Sequence, residues 1–257
     1  MSPLAYGVLR QVTPTAAVLL AENPGVMTLD GTNTWVLRAP GSASCVVVDP
    51  GPADAAHLAR LAAQAPVEVV LLTHGHPDHS EGAREFGRQV DAPVRSVDPA
   101  FRLGGLGLDE GDVIEAAGLS IRVLPTPGHT ADSVCFQLDD AVLTGDTVLG
   151  RGTTVVAHPD GRLGDYLASL RLLAALPAGT VGLPGHGPEL PDLVAAANGY
   201  LAHREQRLAQ VKAAVAELGG APTARQVVER VYADVDRSLW EPAEWSVRAQ
   251  LEYLRDA

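Results

Sequence analysis

The chain has 257 residues, of which 46% are hydrophobic and only 4% aromatic, and its formal net charge is −12. That length holds one large domain or a domain with a small appendage, and that composition calls for an aliphatic core of Val, Leu and Ala. Most of the negative charge precedes residue 200, and Lys212 is the only lysine; this disfavours a large nucleic-acid footprint, because such affinity comes mainly from basic residues displacing counterions, but a short single strand could still reach a bound cation.

In chain order, "MSPLAYGVLR" lacks a basic region followed by an apolar run, so no signal peptide is expected, and no stretch approaches the ~20 apolar residues of a membrane span. Strands are predicted over 15–21, 32–39 and 43–49, each bounded by Pro, Gly or Asn. A helix follows over 52–65, with Pro52 in its first turn. The continuous apolar run "VEVVLLT" (67–73) reads as a strand buried on both faces. A helix over 81–90 precedes strands over 92–97, 119–126, 133–139 and 141–146. An amphipathic helix over 165–176 leads to a strand running into a loop over 180–187.

After that the pattern is helical throughout: a long helix over 189–218 with a weak point at Gly199, a second over 223–232 opened by a Thr223/Gln226 capping box, and a third over 242–256. The expected organisation is an α/β (α+β) body over residues 1–199 and a small helical module over 200–257. Cys45 and Cys135 fall in strand-like segments and read as buried apolar filler, which fits a cytoplasmic protein without disulfides.

The chemistry concentrates in "VVLLTHGHPDHSEG" (69–82), a turn between a buried strand and a helix at the carboxyl end of the strand, where open α/β layers place their sites. His74 and His76 stand two apart, and Asp78 and His79 follow in the turn. Zinc takes about four nitrogen or carboxylate ligands per ion, so further ligands are needed. His129 in "PTPGHTADS", Asp146 in "LTGDTVLG" and His186 in "LPGHGPEL" each occupy a glycine-containing turn after an apolar strand. Two ions about 3.5–4 Å apart would suit such a set.

The set His74-x-His76-x-Asp78-His79, His129, Asp146 and His186 resembles the metallo-β-lactamase superfamily. That resemblance implies a four-layer α/β/β/α sandwich with a dinuclear centre at the edge of its two sheets. It assigns His74, His76 and His129 to one ion and Asp78, His79 and His186 to the other, with Asp146 bridging them. The cofactors implied are two Zn2+ ions, with Mn2+ or Fe2+ as alternatives.

The segments 23–37, 143–156 and 199–208 look like the β-lactamase-like protein 2 group, whose members carry a C-terminal winged-helix-like module and cleave single-stranded RNA. A wing requires a hairpin after the third helix, and "YLRDA" leaves none to be expected. Other branches differ at single positions: true β-lactamases usually carry Cys where Asp146 stands, and flavin-linked di-iron members carry Glu where His76 stands. Glyoxalase II shares all seven ligand types, but the basic residues with which it holds its thioester are not evident here.

The expected activity is therefore metal-assisted hydrolysis, with single-stranded RNA as the first substrate. A thioester, ester or lactone is the alternative, and a nucleic-acid-binding regulator with a structural metal site is a third reading. Asp78 and Asp146 are the expected catalytic carboxylates, Asp78 by accepting a proton from the attacking water and Asp146 by fixing the separation of the ions. Asp49, in "VVVDPG" at another strand end, is a candidate acceptor for the remaining N–H of a ligand imidazole, or else a cap for the following helix. Asn33, His158 and His203 are candidate substrate contacts.

Overall fold

The computed structural model describes residues 6–256; the first five residues of the N-terminal stretch read for a leader lie outside the described residues. Its architecture follows from which faces of the strands are apolar. The first sheet has the order β1 (Arg10–Gln11), β2 (Ala16–Leu20), β3 (Asn33–Leu37), β4 (Cys45–Val48), β5 (Val67–Leu71) and β6 (Val94–Arg95). It is antiparallel as far as β4 and parallel from β4 to β6. The second sheet has the order β11 (Gly182–Pro184), β10 (Val142–Gly145), β9 (Val134–Gln137), β8 (Leu119–Pro125) and β7 (Val113–Ala116).

Along a strand, alternate side chains point to opposite faces. Trp35, Val46, Val48, Val69 and Leu71 of the first sheet meet Ile121, Val123, Phe136 and Leu143 of the second in one shared core. The other face of the first sheet, through Val36, Val47 and Val70, is covered by α1 (Ala55–Ala62) and α3 (Ala83–Gln89) with Leu58, Leu61 and Phe86. The outer face of the second sheet, through Cys135 and Val142, is covered by α4 (Leu163–Ala174) and α5 (Leu193–Leu218). The result is the four-layer α/β/β/α sandwich.

Differences from the sequence reading have local causes. The first helix begins at Ala55 because the Asp54 carboxylate accepts from the His57 amide, so Pro52 lies ahead of the helix rather than in its first turn. The helix expected over 81–90 is preceded by a separate single turn, α2 (Pro77–Ser80). Strands β1 and β7 were not anticipated: β1 has only two residues, both exposed, and β7 starts with the exposed Val113.

Helix α5 runs unbroken past Gly199, where an added Cβ would meet no atom within 4 Å, so the expected division at 199/200 falls inside one helix. Beyond it, α6 (Ala224–Val231) opens with the Thr223/Gln226 capping box, and α7 (Trp240–Asp256) completes the module. Val211, Val227, Trp240 and Val247 form its core, while Ala249 and Tyr253 of α7 pack against the body. Among the described residues no strand follows β11. Among the described residues no helix is long and apolar enough to cross a membrane.

Phe86 has no exposed surface and fills the layer beneath α3. Phe86→Ala is expected to lower stability by roughly 3–5 kcal/mol, read by urea denaturation, through lost transfer energy and the cavity left behind.

Candidate metal centre

Five strand ends converge at one edge of the sandwich. Strand β4 leads to Asp49, β5 to Thr73 and His74, β8 to the turn carrying His129, β10 to Asp146, and β11 to His186. The edge is stitched across the sheets: the Val134 amide donates to the Thr73 carbonyl (2.8 Å), Gly185 to Gly145 (2.8 Å) and Asn33 to Gly185 (2.8 Å). Glycine is required at two of these points. A Cβ at Gly185 would lie 2.5 Å from Asp146 Oδ1 and 2.7 Å from His79 Cε1. Gly145 has φ +47°, and a Cβ there would lie 2.6 Å from the Thr73 hydroxyl.

The structure brings all seven expected residues together. His76 Nδ1 is 3.1 Å from His74 Nε2 and 3.0 Å from His129 Nε2. Beside this group, Asp78 Oδ2 lies 3.1 Å from His186 Nε2 and 3.3 Å from His79 Nε2, which are themselves 3.2 Å apart. Asp146 reaches both groups: its Oδ2 is 3.3 Å from His186 Nε2 and 3.8 Å from His129 Nε2, and its Oδ1 is 3.5 Å from His79 Nε2. The sets His74/His76/His129, His74/His79/Asp146 and Asp78/His79/His186 each place their ligand atoms within 4.8 Å of one another.

The outward nitrogens determine what the inward ones can do. A carbonyl or carboxylate oxygen can only accept, so the ring nitrogen facing it must carry the hydrogen. His129 Nδ1 faces the Val155 carbonyl at 2.6 Å, His186 Nδ1 faces the Gly31 carbonyl at 3.1 Å, and His79 Nδ1 faces Asp49 Oδ2 at 2.8 Å. The Thr73 hydroxyl donates to Asp49 Oδ2 (2.6 Å) and so accepts from His74 Nδ1 at 3.0 Å. Four inward nitrogens are therefore lone pairs in the neutral rings, crowded together in a buried place. Asp146 Oδ1 is also buried without a hydrogen-bond partner. Crowded lone pairs and an orphaned carboxylate oxygen are repulsive alone and complementary to cations, so the donor set fits two metal ions.

The electrostatics agree. Burial alone would raise the Asp78 and Asp146 carboxyls, but His79 and His186 beside Asp78, and the same two imidazoles beside Asp146, hold both far below the usual range. Burial and the neighbouring His79 lower His74, and burial lowers His129 to about 4. Burial opposes charge on His79 and His186 too, but Asp146 and Asp78 outweigh it, raising His79 well above its ordinary value and pushing His186 up to about 9.

Asp49 accepts from the Thr73 amide (2.8 Å), the Thr73 hydroxyl and His79 Nδ1, and it adopts the left-handed backbone with φ 51°. It does not cap the following helix; Asp54 does. Asn33 is buried, and its amide donates to the carbonyls of Pro184 (3.0 Å) and Gly187 (2.8 Å), so it braces the loop carrying His186. His158 lies away from the cluster, paired with Glu252 at 3.3 Å, and His203 lines a cleft against the C-terminal helices. Sequence reasoning did not single out Thr73, Gly185 or the carbonyls of Gly31 and Val155. Backbone acceptors leave no mark on residue type, and only the threonine immediately before the histidine motif offered a signal.

A β-sandwich flanked by helices, with a seven-residue imidazole and carboxylate cluster at one edge, defines a metal-binding hydrolase fold. The metallo-beta-lactamase superfamily profile matches residues 27–186 and the beta-lactamase associated winged helix domain matches residues 223–256, so the chain belongs to the metallo-beta-lactamase superfamily and is a hydrolase of that fold. It is 35% identical over 217 residues to the lactamase-like protein adaB of Aspergillus niger, a match covering 80% of this chain and 66% of that protein. An atrochrysone carboxyl ACP thioesterase of Aspergillus fumigatus is 30% identical over 266 residues, with coverage of 95% and 80%. The crystal structure of a metallo-beta-lactamase family protein from Thermus thermophilus superposes with a TM-score of 0.79 at 26% identity, covering 95% of this chain and 94% of that one.

The hydrogen-bond and charge pattern sets two expectations. Asp49→Asn weakens the acceptor that orients His79, and metal affinity is expected to fall about 10–100-fold by competition with a chromophoric chelator. In chelator-stripped protein the raised His186 stabilises the fold fully below its ordinary value of 6.5, and that stability is lost as pH rises through about 9. The melting temperature of stripped protein should therefore drop between those two pH values, and reloading with metal should remove the drop; a flat or rising profile contradicts the arrangement.

Proposed function

We propose that the chain is a dinuclear metal-dependent hydrolase of carboxylic thioesters, its acyl group presented on a carrier arm. The observation that carries the hydrolytic part is the convergence of the two ligand groups on Asp146, whose oxygens face both. The thioester part is supported by the thioesterase activity named for relatives that are 30% and 32% identical over more than nine-tenths of this chain. It is supported also by the charge of −12, which repels a polyanion at long range.

Two bound cations, Zn2+ in this reading with Mn2+ or Fe2+ as alternatives, would supply a water acidified to near neutrality and polarise the substrate oxygen. The residues that would hold the pair are His74, His76, His129, Asp78, His79, His186 and Asp146. Asp78, with its side chain 26% exposed, would accept the proton of the attacking water. Asp146 fixes the spacing of the two ligand groups. Asp49, Thr73 and the carbonyls of Gly31 and Val155 hold the imidazoles in the ligating tautomer. The carbonyl carbon gains the water oxygen, and the thiol leaves with a proton. Two buried free cysteines fit a reducing, cytoplasmic setting.

A second reading, hydrolysis of single-stranded RNA, rests on the winged-helix match over residues 223–256. One experiment separates the two: metal-loaded protein is assayed against an S-acyl pantetheine, a single-stranded RNA and a generic phosphodiester, with Asp146→Ala beside it. Thioester turnover is expected, and Asp146→Ala should lose metal and at least about 10²-fold in activity together. RNA cleavage without thioester turnover would favour the second reading, and full turnover in Asp146→Ala would overturn both.

A further inference from the structure

A cleft between α5, the 153–155 loop and the C-terminal helices carries positive charge that the metal centre does not use. Arg204, on α5, is 5% exposed and is the one buried arginine among the described residues. Its guanidinium donates to the Thr154 carbonyl and lies 5.1 Å from the centroid of the Tyr166 ring. Its Nε has no hydrogen-bond partner, and among the described residues no carboxylate forms an ion pair with it. A guanidinium withdrawn from water without a counter-charge is costly, and in a chain of net charge −12 a carboxylate could easily have been placed beside it.

Two more donors share the cleft. Arg207, one turn further along α5, lies 4.4 Å over the Tyr232 ring, with one nitrogen on the Val231 carbonyl and no carboxylate partner among the described residues. His203 has a buried Nδ1 without a partner. The apolar Val235, Leu239 and Pro242 line the same cavity, which measures about 160 Å³. It shares a wall with the metal centre, since Val155 accepts from His129 and the Thr154 hydroxyl donates to the Asp146 carbonyl at 2.8 Å.

We propose that this cleft binds the phosphate of the substrate's non-reacting arm: an oxyanion of a phosphate ester against Arg204, Arg207 and His203, with its hydrocarbon stem on Val235, Leu239 and Pro242. Planar guanidiniums held on aromatic rings match phosphate oxygens in geometry and charge. The proposal rests on the hydrolase reading above for the identity of the reacting end. The same phosphate could come from a phosphopantetheine-type carrier arm or from a nucleotide.

The test is calorimetric titration of the metal-loaded protein with 4′-phosphopantetheine, pantetheine, adenosine 5′-monophosphate and adenosine. For at least one pair the phosphorylated ligand is expected to bind about tenfold more tightly than its dephosphorylated counterpart, and Arg207→Met should bring that ratio to about one. His203→Gln, at the same rim, is the second variant, expected to reduce the ratio in the same direction. A preference for phosphopantetheine alone assigns the carrier arm, and one for the nucleotide alone assigns the RNA end; either supports the cleft. A wild-type ratio near one for both pairs overturns the proposal. So does a preference that survives both substitutions, because that phosphate would be sitting on the metals. Intact phosphate preference without any hydrolysis would strike the hydrolase reading alone, while hydrolysis without the preference would strike only this one.

Discussion

The rest of the site depends on one buried carboxylate, Asp49. Its two oxygens take the Thr73 amide, the Thr73 hydroxyl and the His79 ring, tying the end of β4 to the end of β5 and to the ligand turn beyond it. Through the Thr73 hydroxyl it also sets the ring of His74. One acidic side chain therefore determines the orientation of an imidazole in each ligand group. It does so from a left-handed backbone, a strained geometry that persists only where the surroundings over-determine it.

Around that anchor the outward hydrogens of His74, His79, His129 and His186 each have an acceptor, while the inward nitrogens of the neutral rings crowd together as lone pairs. Protons and cations therefore compete for the same place. Without metal, His79 and His186 take up protons because Asp78 and Asp146 face them, while His74 and His129, with imidazole neighbours and deep burial, do not. The two ligand groups thus differ in kind before any ion arrives: one offers carboxylate oxygens as well as imidazoles, and the one made of three histidines is the softer.

How much of this could be read from the chain depended on how far each signal extended in sequence. Ligand-type residues at the ends of apolar strands were visible because a glycine turn and an apolar run flank each of His74, His129, Asp146 and His186. The layers were visible because "VVLLT" (69–73) is apolar on both faces, as a central strand must be, and only the exposed Glu68 near the start of β5 interrupts the run. The roles of Asn33 and Thr73 were not visible, because their partners are backbone groups of segments distant in sequence. Nor were the short edge strands β1 and β7, whose exposed residues carry no apolar pattern. The continuity of α5 through Gly199 was hidden because a glycine facing open space reads like a helix break, yet its lost propensity is outweighed by packing at both ends.

That continuity has a consequence for how chain length can vary in such a protein. Leu193 and Ala197 belong to the core under α4, and Val211 and Ala214 to the core under α6 and α7. A single rod of 26 residues, about 39 Å long, therefore indexes the two cores against each other. One residue inserted between Arg204 and Val211 would turn α6 and α7 by about 100° about the rod and dissolve the cleft. Length changes can be absorbed instead at the Gly219–Gly220 connection, where the chain already leaves the helix in a left-handed bend. The rod thus acts as a phase lock, leaving the cleft free to change its lining but not its angle.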